Sequence, residues 1–232
     1  MEWLKTCCPG PCFLCMQGAL EFGCVATVAK IWSWEPQMDK WDSSLGGYPT
    51  RVQSKDPVMY AGSFNPPHNG HAEVIKYYSR AYSHVHVVIG VNPKKKYPVS
   101  AEERKVLLEG FVSAMGLQNV TVHVWGDLIY KLAKQLNVSK FGRGIRTWKE
   151  DGVPERRLEV QNMCWPVFNR CSAPMRTLYV EGPPELSDAS STALRKRLEN
   201  QESLTGLVPS EMEEKVRKAY ACMAQPPQQA MS

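Results

Sequence analysis

Short runs of apolar residues alternate along the chain with longer segments whose apolar positions recur at helical spacing. Short apolar runs bounded by turn residues predict buried strands, and apolar positions three and four residues apart predict helices. The segment HAEVIKYYSRAY carries apolar side chains at Ala72, Ile75 and either Tyr78 or Tyr82, on one helical face. The predicted strands are 58–61, 84–91, 120–125, 140–145 and 176–181. The predicted helices are 70–82, 100–115, 127–136, 155–163, 187–200 and 209–223.

The order of these elements predicts the fold class. Strands that alternate with helices imply right-handed crossovers and a mostly parallel sheet with helices on both faces. Ser100 begins the second predicted helix, because Glu103 three residues later completes a capping box. We therefore predict an α/β fold with a doubly wound parallel sheet and a C-terminal helical segment. Ligands of such sheets bind at the carboxyl ends of the strands, near the point where the strand order reverses.

The first 56 residues differ in composition from the rest of the chain. The segment WDSSLGGYPTRVQSKDP, residues 41–57, is rich in Gly, Ser, Pro and charge, which is typical of a linker. We expect a cysteine-rich leader and linker over 1–56 with little order, a domain over 57–222 and a polar tail over 223–232. A chain without its first 50 residues should then keep its activity.

Five of the eight cysteines lie in the first 24 residues. The segment CCPGPCFLC could bind zinc or carry acyl groups, but no second Cys or His pair follows at metal-ligand spacing. The apolar run FGCVATVA is too short to cross a bilayer, and no secretory signal is recognisable. We expect a cytoplasmic protein without a membrane span.

The net charge of +5 is mild and indicates no particular partner. Neither an RNA-binding signature nor zinc-finger spacing is present, so we expect no nucleic-acid partner. The sequence leaves a homo-oligomer open.

The segment GSFNPPHNGH, residues 62–71, lies between the first predicted strand and the first predicted helix. We call it the first motif. Gly62 allows a ligand close to the backbone, and the N–H groups at the helix start after Gly70 can bind an anion. His71 in the first turn can donate a hydrogen bond to that anion. The motif is neither a Walker loop nor a dinucleotide fingerprint, because the required lysine and glycine spacings are absent. A Gly/Pro turn with two surface histidines is the plainer alternative.

A second motif, ASSTALR at residues 189–195, lies at another predicted helix start. Its hydroxyls and Arg195 suit the outer phosphates of a nucleoside triphosphate. The two motifs, in this order, resemble the two signatures of the nucleotidylyltransferase superfamily, the cytidylyltransferase-like proteins. The stretches VNPKKKYPVSAEERKVLL, DLIYKLAKQLNVSKFGRGIRT and GLVPSEMEEKVRKAY resemble bacterial phosphopantetheine adenylyltransferases in particular, and the resemblance covers 57–222.

The resemblance implies a Rossmann-like fold and a reaction. The expected reaction transfers an adenylyl group from ATP to 4'-phosphopantetheine in coenzyme A biosynthesis, with Mg²⁺ carried by ATP. His71 would stabilise charge on the α-phosphate, and Lys95 would reach across both reacting phosphates. Ser63, Lys95 and Arg143 would bind the phosphate-bearing acceptor. The implied ATP-binding residues are Gly62, Ser63, Phe64, His68, Gly70, His71, Gly144, Arg146, Ser190, Ser191, Thr192 and Arg195.

The chain departs from the family pattern after Arg146, where it continues TWKEDGVPERRLEVQNMCW. Cys164 stands at a usual asparagine and Leu186 at a usual tryptophan, where the family binds pantetheine and adenine. Two alternatives therefore stay open. A nicotinate or nicotinamide mononucleotide adenylyltransferase often shares the PPHxGH pattern, although this chain lacks the Gly-x-Asp segment of those enzymes. An inactive nucleotide-binding regulator would not be expected to keep His71, Lys95 and SSTALR.

Overall fold

The computed structural model describes residues 36, 38–49, 53–168 and 176–223. The described residues of 38–151 and 176–223 form one compact unit, and residues 152–168 belong to another. The strands are β1 (Val58–Gly62), β2 (Val85–Gly90), β3 (Val120–Trp125), β4 (Lys140–Ile145) and β5 (Arg176–Glu181). The helices are α1 (Asn69–Ala81), α2 (Ala101–Ala114), α3 (Ile129–Gln135), α4 (Trp148–Phe168), α5 (Ser191–Glu199) and α6 (Ser210–Ala219). Short 3₁₀ turns cover Ser43–Leu45, Pro184–Leu186 and Ala221–Met223.

The described strands form a parallel sheet in the order β3-β2-β1-β4-β5. The chain builds outward from β1 to β3, then crosses to the other side of β1 for β4 and β5. The strand order therefore reverses between β1 and β4, whose carboxyl ends mark the expected ligand site. The predicted doubly wound α/β fold is confirmed, and the strand bounds agree with the prediction to within one residue.

The helices follow the predicted order, and α4 differs most from its predicted bounds. Helix α2 begins with the predicted capping box, in which Glu103 N–H donates to Ser100 Oγ at 3.2 Å and Ser100 N–H donates to Glu103 Oε2 at 3.1 Å. Helix α4 is longer than the predicted 155–163. It begins at Trp148, seven residues before the predicted start. The sequence pattern does not indicate this first part, because Gly152 and Pro154 have low helix propensity.

Helix α1 packs closely on β4 because two glycines of that strand leave room for it. A Cβ at Gly142 would lie 2.5 Å from the Tyr78 ring, and a Cβ at Gly144 would lie 2.5 Å from Val74. The Tyr78 hydroxyl donates to the Leu178 carbonyl at 2.7 Å, which ties α1 to β5 as well. The predicted apolar face of α1 is buried: Ile75, Tyr78 and Tyr82 lie in this core, and Ala72 lies in a second apolar cluster.

The C-terminal helices form a second apolar cluster with α2. Leu194 and Leu198 of α5 and Met212 and Val216 of α6 are buried there. Phe111 of α2 belongs to the same cluster. This packing holds the start of α5 beside the loop that follows β1.

Residues 38–49, which the sequence pattern assigned to the leader and linker, pack against the domain. The Asp39 N–H donates to the Tyr179 carbonyl at 3.3 Å, along the outer edge of β5. The Tyr48 ring lies 4.6 Å from the Tyr77 ring of α1. These contacts could not be predicted from the composition of the segment, because they depend on a few aromatic and polar side chains. The predicted domain boundary stays a prediction.

The cysteine-rich segment and most of the polar tail lie outside the described residues. In the part of the chain that is described, no helix is long and apolar enough to cross a membrane.

Candidate active site

The first motif begins with a sharp turn after β1. Phe64 has a φ of 47°, a left-handed conformation that is unusual for a bulky residue. Its side chain is only 1% exposed and lies edge-on to the rings of Tyr60 and His71, at 5.4 and 4.9 Å. Burial of this ring holds the backbone in the turn.

The two histidines of the first motif are built into the start of α1. His68 is the N-cap, and its Nδ1 accepts a hydrogen bond from Gly70 N–H at 3.1 Å. His71 Nδ1 accepts from His68 N–H at 3.2 Å. A ring nitrogen that accepts carries no proton, so neutral His71 holds its proton on Nε2. Because His68 is buried and His71 half-buried, the alternative of two surface histidines is wrong.

Burial keeps both imidazoles neutral. It lowers the pKa of His68 to about 4. It also lowers the pKa of His71 well below the ordinary value, and the neighbouring His68 and the Arg143 charge act in the same direction. At neutral pH His71 can therefore donate from Nε2 to an anionic oxygen without carrying a charge of its own.

Arg143 lies where the pairing between β1 and β4 stops. The ladder reaches Tyr60 and Gly142, and one residue further the Arg143 Nη1 donates to the Ala61 carbonyl at 2.8 Å. Its charge acts on the pKa of His71, so the two predicted site residues lie within electrostatic reach of each other. The structure thus brings Arg143 to the edge where the strand order reverses.

The second motif binds directly to the first. Ser191 Oγ donates to the Pro66 carbonyl at 2.8 Å, and Arg195 Nη1 donates to the Asn65 carbonyl at 2.5 Å. Two segments that are far apart in sequence therefore share one surface. Each motif includes a helix N-terminus, where N–H groups without an intrahelical partner and the helix dipole favour anions.

The other hydroxyls of the second motif are used within the protein. Ser190 is the N-cap of α5, and its Oγ accepts from Ala193 N–H at 3.1 Å. Thr192 Oγ1 accepts from Arg195 Nη2 at 3.1 Å. These contacts organise the helix start before a ligand is present. That the same residues bind phosphates stays a prediction.

Two glycines of the first motif leave room for neighbouring rings. A Cβ at Gly70 would lie 3.0 Å from the His68 ring and 3.6 Å from the Ala189 carbonyl. Gly62 has a comparable role, because a Cβ there would lie 3.1 Å from the Phe64 ring.

Lys95 lies in the lysine loop, residues 92–98, which follows β2. It lines a pocket of about 520 Å³ together with Arg195 of the second motif. Lys95 and Arg195, both predicted to bind phosphates, therefore line the same pocket. The remaining lining residues are Asn65, Lys96, Tyr97, Pro98, Glu199 and Met223.

Arg146 and Gly144 are not among the residues that line this pocket. Arg146 Nη2 lies 2.7 Å from Asp151 Oδ1, and its Nη1 lies 3.6 Å from Glu150. Hydrogen bonding to Asp151 raises the pKa of Arg146. Gly144 accommodates Val74 in the core. The nucleotide contacts expected of both residues stay predictions.

Two residues that sequence reasoning missed hold the first motif in place. Arg104 of α2 donates from Nη1 to the Ser63 carbonyl. Tyr220, buried after α6, donates to Asn65 Oδ1 at 2.7 Å. A cation on the otherwise apolar face of α2 was a usable signal for Arg104, but nothing in the pattern singles out Tyr220.

A family model described as cytidylyltransferase-like matches residues 59–197, more than half of the chain. The chain belongs to the cytidylyltransferase-like family. It is a nucleotidyltransferase, as the two motifs predicted. A phosphopantetheine adenylyltransferase of Bdellovibrio bacteriovorus is 34% identical over 166 residues, which cover 69% of this chain and 98% of that protein. One from Streptococcus suis is 30% identical over 162 residues, which cover 69% of this chain and 94% of that protein.

This chain also resembles a solved structure from Vibrio parahaemolyticus that bears the name of a nicotinate-nucleotide adenylyltransferase. The match covers 71% of this chain and 93% of the other, at 17% identity and a TM-score of 0.48. A likeness at this level does not distinguish between acceptors.

Proposed function

We propose that this nucleotidyltransferase transfers the adenylyl group of ATP to 4'-phosphopantetheine, which yields dephospho-CoA and pyrophosphate. The observation that carries the choice of acceptor is the likeness to phosphopantetheine adenylyltransferases over nearly their whole length. An oxygen of the acceptor phosphate attacks the α-phosphorus of ATP. The bond from that phosphorus to the bridging oxygen of the β-phosphate breaks, and pyrophosphate leaves.

The proposed mechanism depends on positioning and on neutralising negative charge, which carry most of the catalysis of phosphoryl and nucleotidyl transfer. His71 Nε2 donates to an oxygen of the α-phosphate. Arg143 and Ser63 hold the acceptor phosphate, and Lys95 reaches across both reacting phosphates. The hydrogen bond from Arg143 to Ala61 supports this role, because it fixes one side of the guanidinium and orients the other.

The outer phosphates of ATP bind at the start of α5 in this proposal. Arg195 supplies the charge, and the N–H groups of the helix start supply hydrogen bonds. The contacts of Arg195 with Asn65 and of Ser191 with Pro66 support it, since they set the second motif against the first.

Magnesium enters with ATP and is bound through its phosphates in this proposal. Mg²⁺ retains several waters and commonly takes only one or two protein carboxylates beside substrate phosphates. In the described ranges, no group of three or more His, Cys, Asp or Glu side chains could hold a metal ion. We assign the ion to the substrate because Mg²⁺ is commonly bound through substrate phosphates. The cytoplasmic location and the homo-oligomer stay predictions.

The full chain with ATP and Mg²⁺ tests this function when it is offered 4'-phosphopantetheine or, separately, nicotinamide or nicotinate mononucleotide. Pyrophosphate release and the mass of the adenylylated product are measured. We expect release with 4'-phosphopantetheine and formation of dephospho-CoA. Turnover with a pyridine mononucleotide alone would replace the acceptor, and ATP binding without turnover in any mixture would favour a regulator.

A further inference from the structure

Arg104 is a charged side chain in an apolar position. It is 1% exposed and lies on the same face of α2 as the buried Leu107, Leu108 and Phe111. An arginine keeps its charge throughout the physiological pH range, and a buried charge is costly unless other groups compensate it. The buried charge therefore indicates that Arg104 has a specific role.

Three contacts surround the Arg104 guanidinium. Nη1 donates to the Ser63 carbonyl in the first motif, and Nε donates to the Ser100 carbonyl at 3.2 Å. The guanidinium carbon lies 4.5 Å from the centre of the Tyr97 ring, in the lysine loop. Within the described part of the chain, no carboxylate lies at ion-pair distance from Arg104. The two carbonyls accept hydrogen bonds from the Arg104 guanidinium. Neither carries a charge, so in the described part of the chain the positive charge has no anionic partner.

The contact with Ser63 fixes the direction of a neighbouring backbone donor. In a planar trans peptide the carbonyl and the following N–H point in opposite directions, so the Phe64 N–H points away from Arg104. Phe64 also has the left-handed φ of 47°, and such strained residues persist where their surroundings enforce them. Among the described residues, no hydrogen-bond acceptor takes the Phe64 N–H.

We propose that Arg104 is a positioning residue for adenylyl transfer: it holds the Ser63–Phe64 peptide so that the Phe64 N–H faces the phosphate oxygens of ATP on which negative charge develops. Its contact with Tyr97 ties the first motif to the lysine loop, so both phosphate-binding segments keep their relative positions. The negative charge of the bound triphosphate compensates the positive charge of Arg104. Among the described residues, no carboxylate at ion-pair distance does so. The inference rests on the proposed function for its ligand, a nucleoside triphosphate.

Kinetics of Arg104→Gln, Arg104→Lys and a control, Lys105→Gln, test the inference. Lys105 lies on the same helix and pairs with Glu109 at 3.9 Å. Among the described residues it has no hydrogen bond or ion pair with the first motif. We expect Arg104→Gln to lower kcat about 100-fold, the effect of losing one oriented donor, with KM for ATP changed less than about threefold. Arg104→Lys, which keeps the charge, should recover part of this loss, and Lys105→Gln should retain wild-type kcat.

A purely structural role predicts a different result, in which Arg104→Gln lowers the thermal midpoint but leaves the kcat of the folded protein within about threefold of wild type. That result would overturn the inference. An equal loss of kcat in Lys105→Gln would overturn it as well, because the effect would then follow net charge.

The amide resonance of Phe64 gives a readout that needs no turnover. In protein labelled with ¹⁵N-phenylalanine, we expect this resonance to shift when ATP and Mg²⁺ are added to the wild type and to Lys105→Gln. The shift should be at least halved in Arg104→Lys and, where that variant folds, absent in Arg104→Gln. If the wild type does not adenylylate 4'-phosphopantetheine, the proposed function fails while this spectrum still tests Arg104. Equal shifts in all variants, or none in the wild type, overturn the inference.

Discussion

Arg195 Nη1 donates a 2.5 Å hydrogen bond to the backbone carbonyl of Asn65, which lies 130 residues earlier in the chain. The same guanidinium donates from Nη2 to Thr192 Oγ1 at 3.1 Å. One planar group therefore joins the second motif to the first and is oriented before ATP binds. Orientation in advance reduces the conformational cost of binding.

Arg195→Lys should raise KM for ATP about tenfold, which corresponds to about 1.4 kcal/mol of binding free energy. Lysine keeps the charge but cannot reproduce the planar two-point geometry of arginine. KM for 4'-phosphopantetheine should change less than about threefold. Steady-state kinetics with each substrate varied in turn measures both constants.

Arg197→Lys is the matched control on the same helix. Arg197 Nη1 donates to the Ser203 carbonyl at 3.1 Å, in the loop between α5 and α6, and has no hydrogen bond to either motif among the described residues. This variant should keep the wild-type KM for ATP. An unchanged KM in Arg195→Lys, or an equal rise in Arg197→Lys, would remove Arg195 from the proposed phosphate site.

Arg143→Lys should show the opposite bias, with a larger rise in KM for 4'-phosphopantetheine than for ATP. Arg143 uses Nη1 to bind the Ala61 carbonyl, and the rest of its fork is proposed to hold the acceptor phosphate. A lysine cannot do both, so the acceptor contact should weaken. The same two-substrate kinetics measures the bias. A rise confined to KM for ATP would show that the acceptor lies elsewhere.

His71→Asn separates the structural and catalytic roles of this imidazole. An asparagine oxygen can still accept the His68 N–H in place of Nδ1, but the donor at Nε2 is lost. We expect kcat to fall about 100-fold, the usual effect of removing one donor to a developing charge, while the thermal midpoint stays near the wild-type value. His71→Ala, which loses both contacts, should also melt lower. A kcat within tenfold of the wild type would contradict the proposed role.

Strands β1 and β2 could be predicted from sequence because each is an almost continuous apolar run, as expected for central strands of a parallel sheet that is buried on both faces. The two motifs were equally visible, since each combines turn residues with chemistry at a helix start. The pattern could not show what supports them. Arg104 meets Ser63 and Tyr220 meets Asn65 across 41 and 155 residues of sequence, and no local periodicity reports such contacts.

The tautomer of His71 was also beyond the sequence, because it depends on which backbone N–H its Nδ1 accepts. The contacts of segment 38–49 could not be predicted for a related reason. Its Gly, Ser and Pro content is that of a linker, whereas its packing rests on Trp41 and Tyr48, whose rings lie 5.2 Å apart.

Tyr48→Ala should destabilise the protein by about 2 kcal/mol, since it removes a half-buried aromatic ring from the side of α1. For a chain of this size the thermal midpoint should fall by about 4–8 °C. Leu45→Ala is the control in the same segment, because Leu45 is 66% exposed and should change the midpoint little. Equal midpoints for the two variants would show that the segment contributes no stability. The kcat of folded Tyr48→Ala should equal that of the wild type.

Stability should fall as the pH is lowered from 6.5 to 4, because buried His68 resists protonation. Its pKa is about 4 in the folded protein, against 6.5 ordinarily. Above pH 6.5 the ring is neutral in both states and has no effect on the balance. Between 6.5 and 4 the unfolded chain takes up a proton that the folded protein does not, so the free energy of unfolding decreases by about 3 kcal/mol over this window. His71 acts in the same direction.

His68→Asn isolates this contribution. Asparagine is a favourable N-cap and can accept the Gly70 N–H in place of Nδ1, but it does not titrate. Urea unfolding at pH 7.5, 6.5, 5.5 and 4.5 should give similar stability for both proteins at pH 7.5 and a shallower decline for the variant below 6.5. His86, whose pKa burial lowers to about 4, is present in both proteins, so the difference between the two curves reports His68. Parallel curves would mean that His68 is protonated as easily in the folded protein as in the unfolded chain, and the neutral N-cap described for α1 would be wrong.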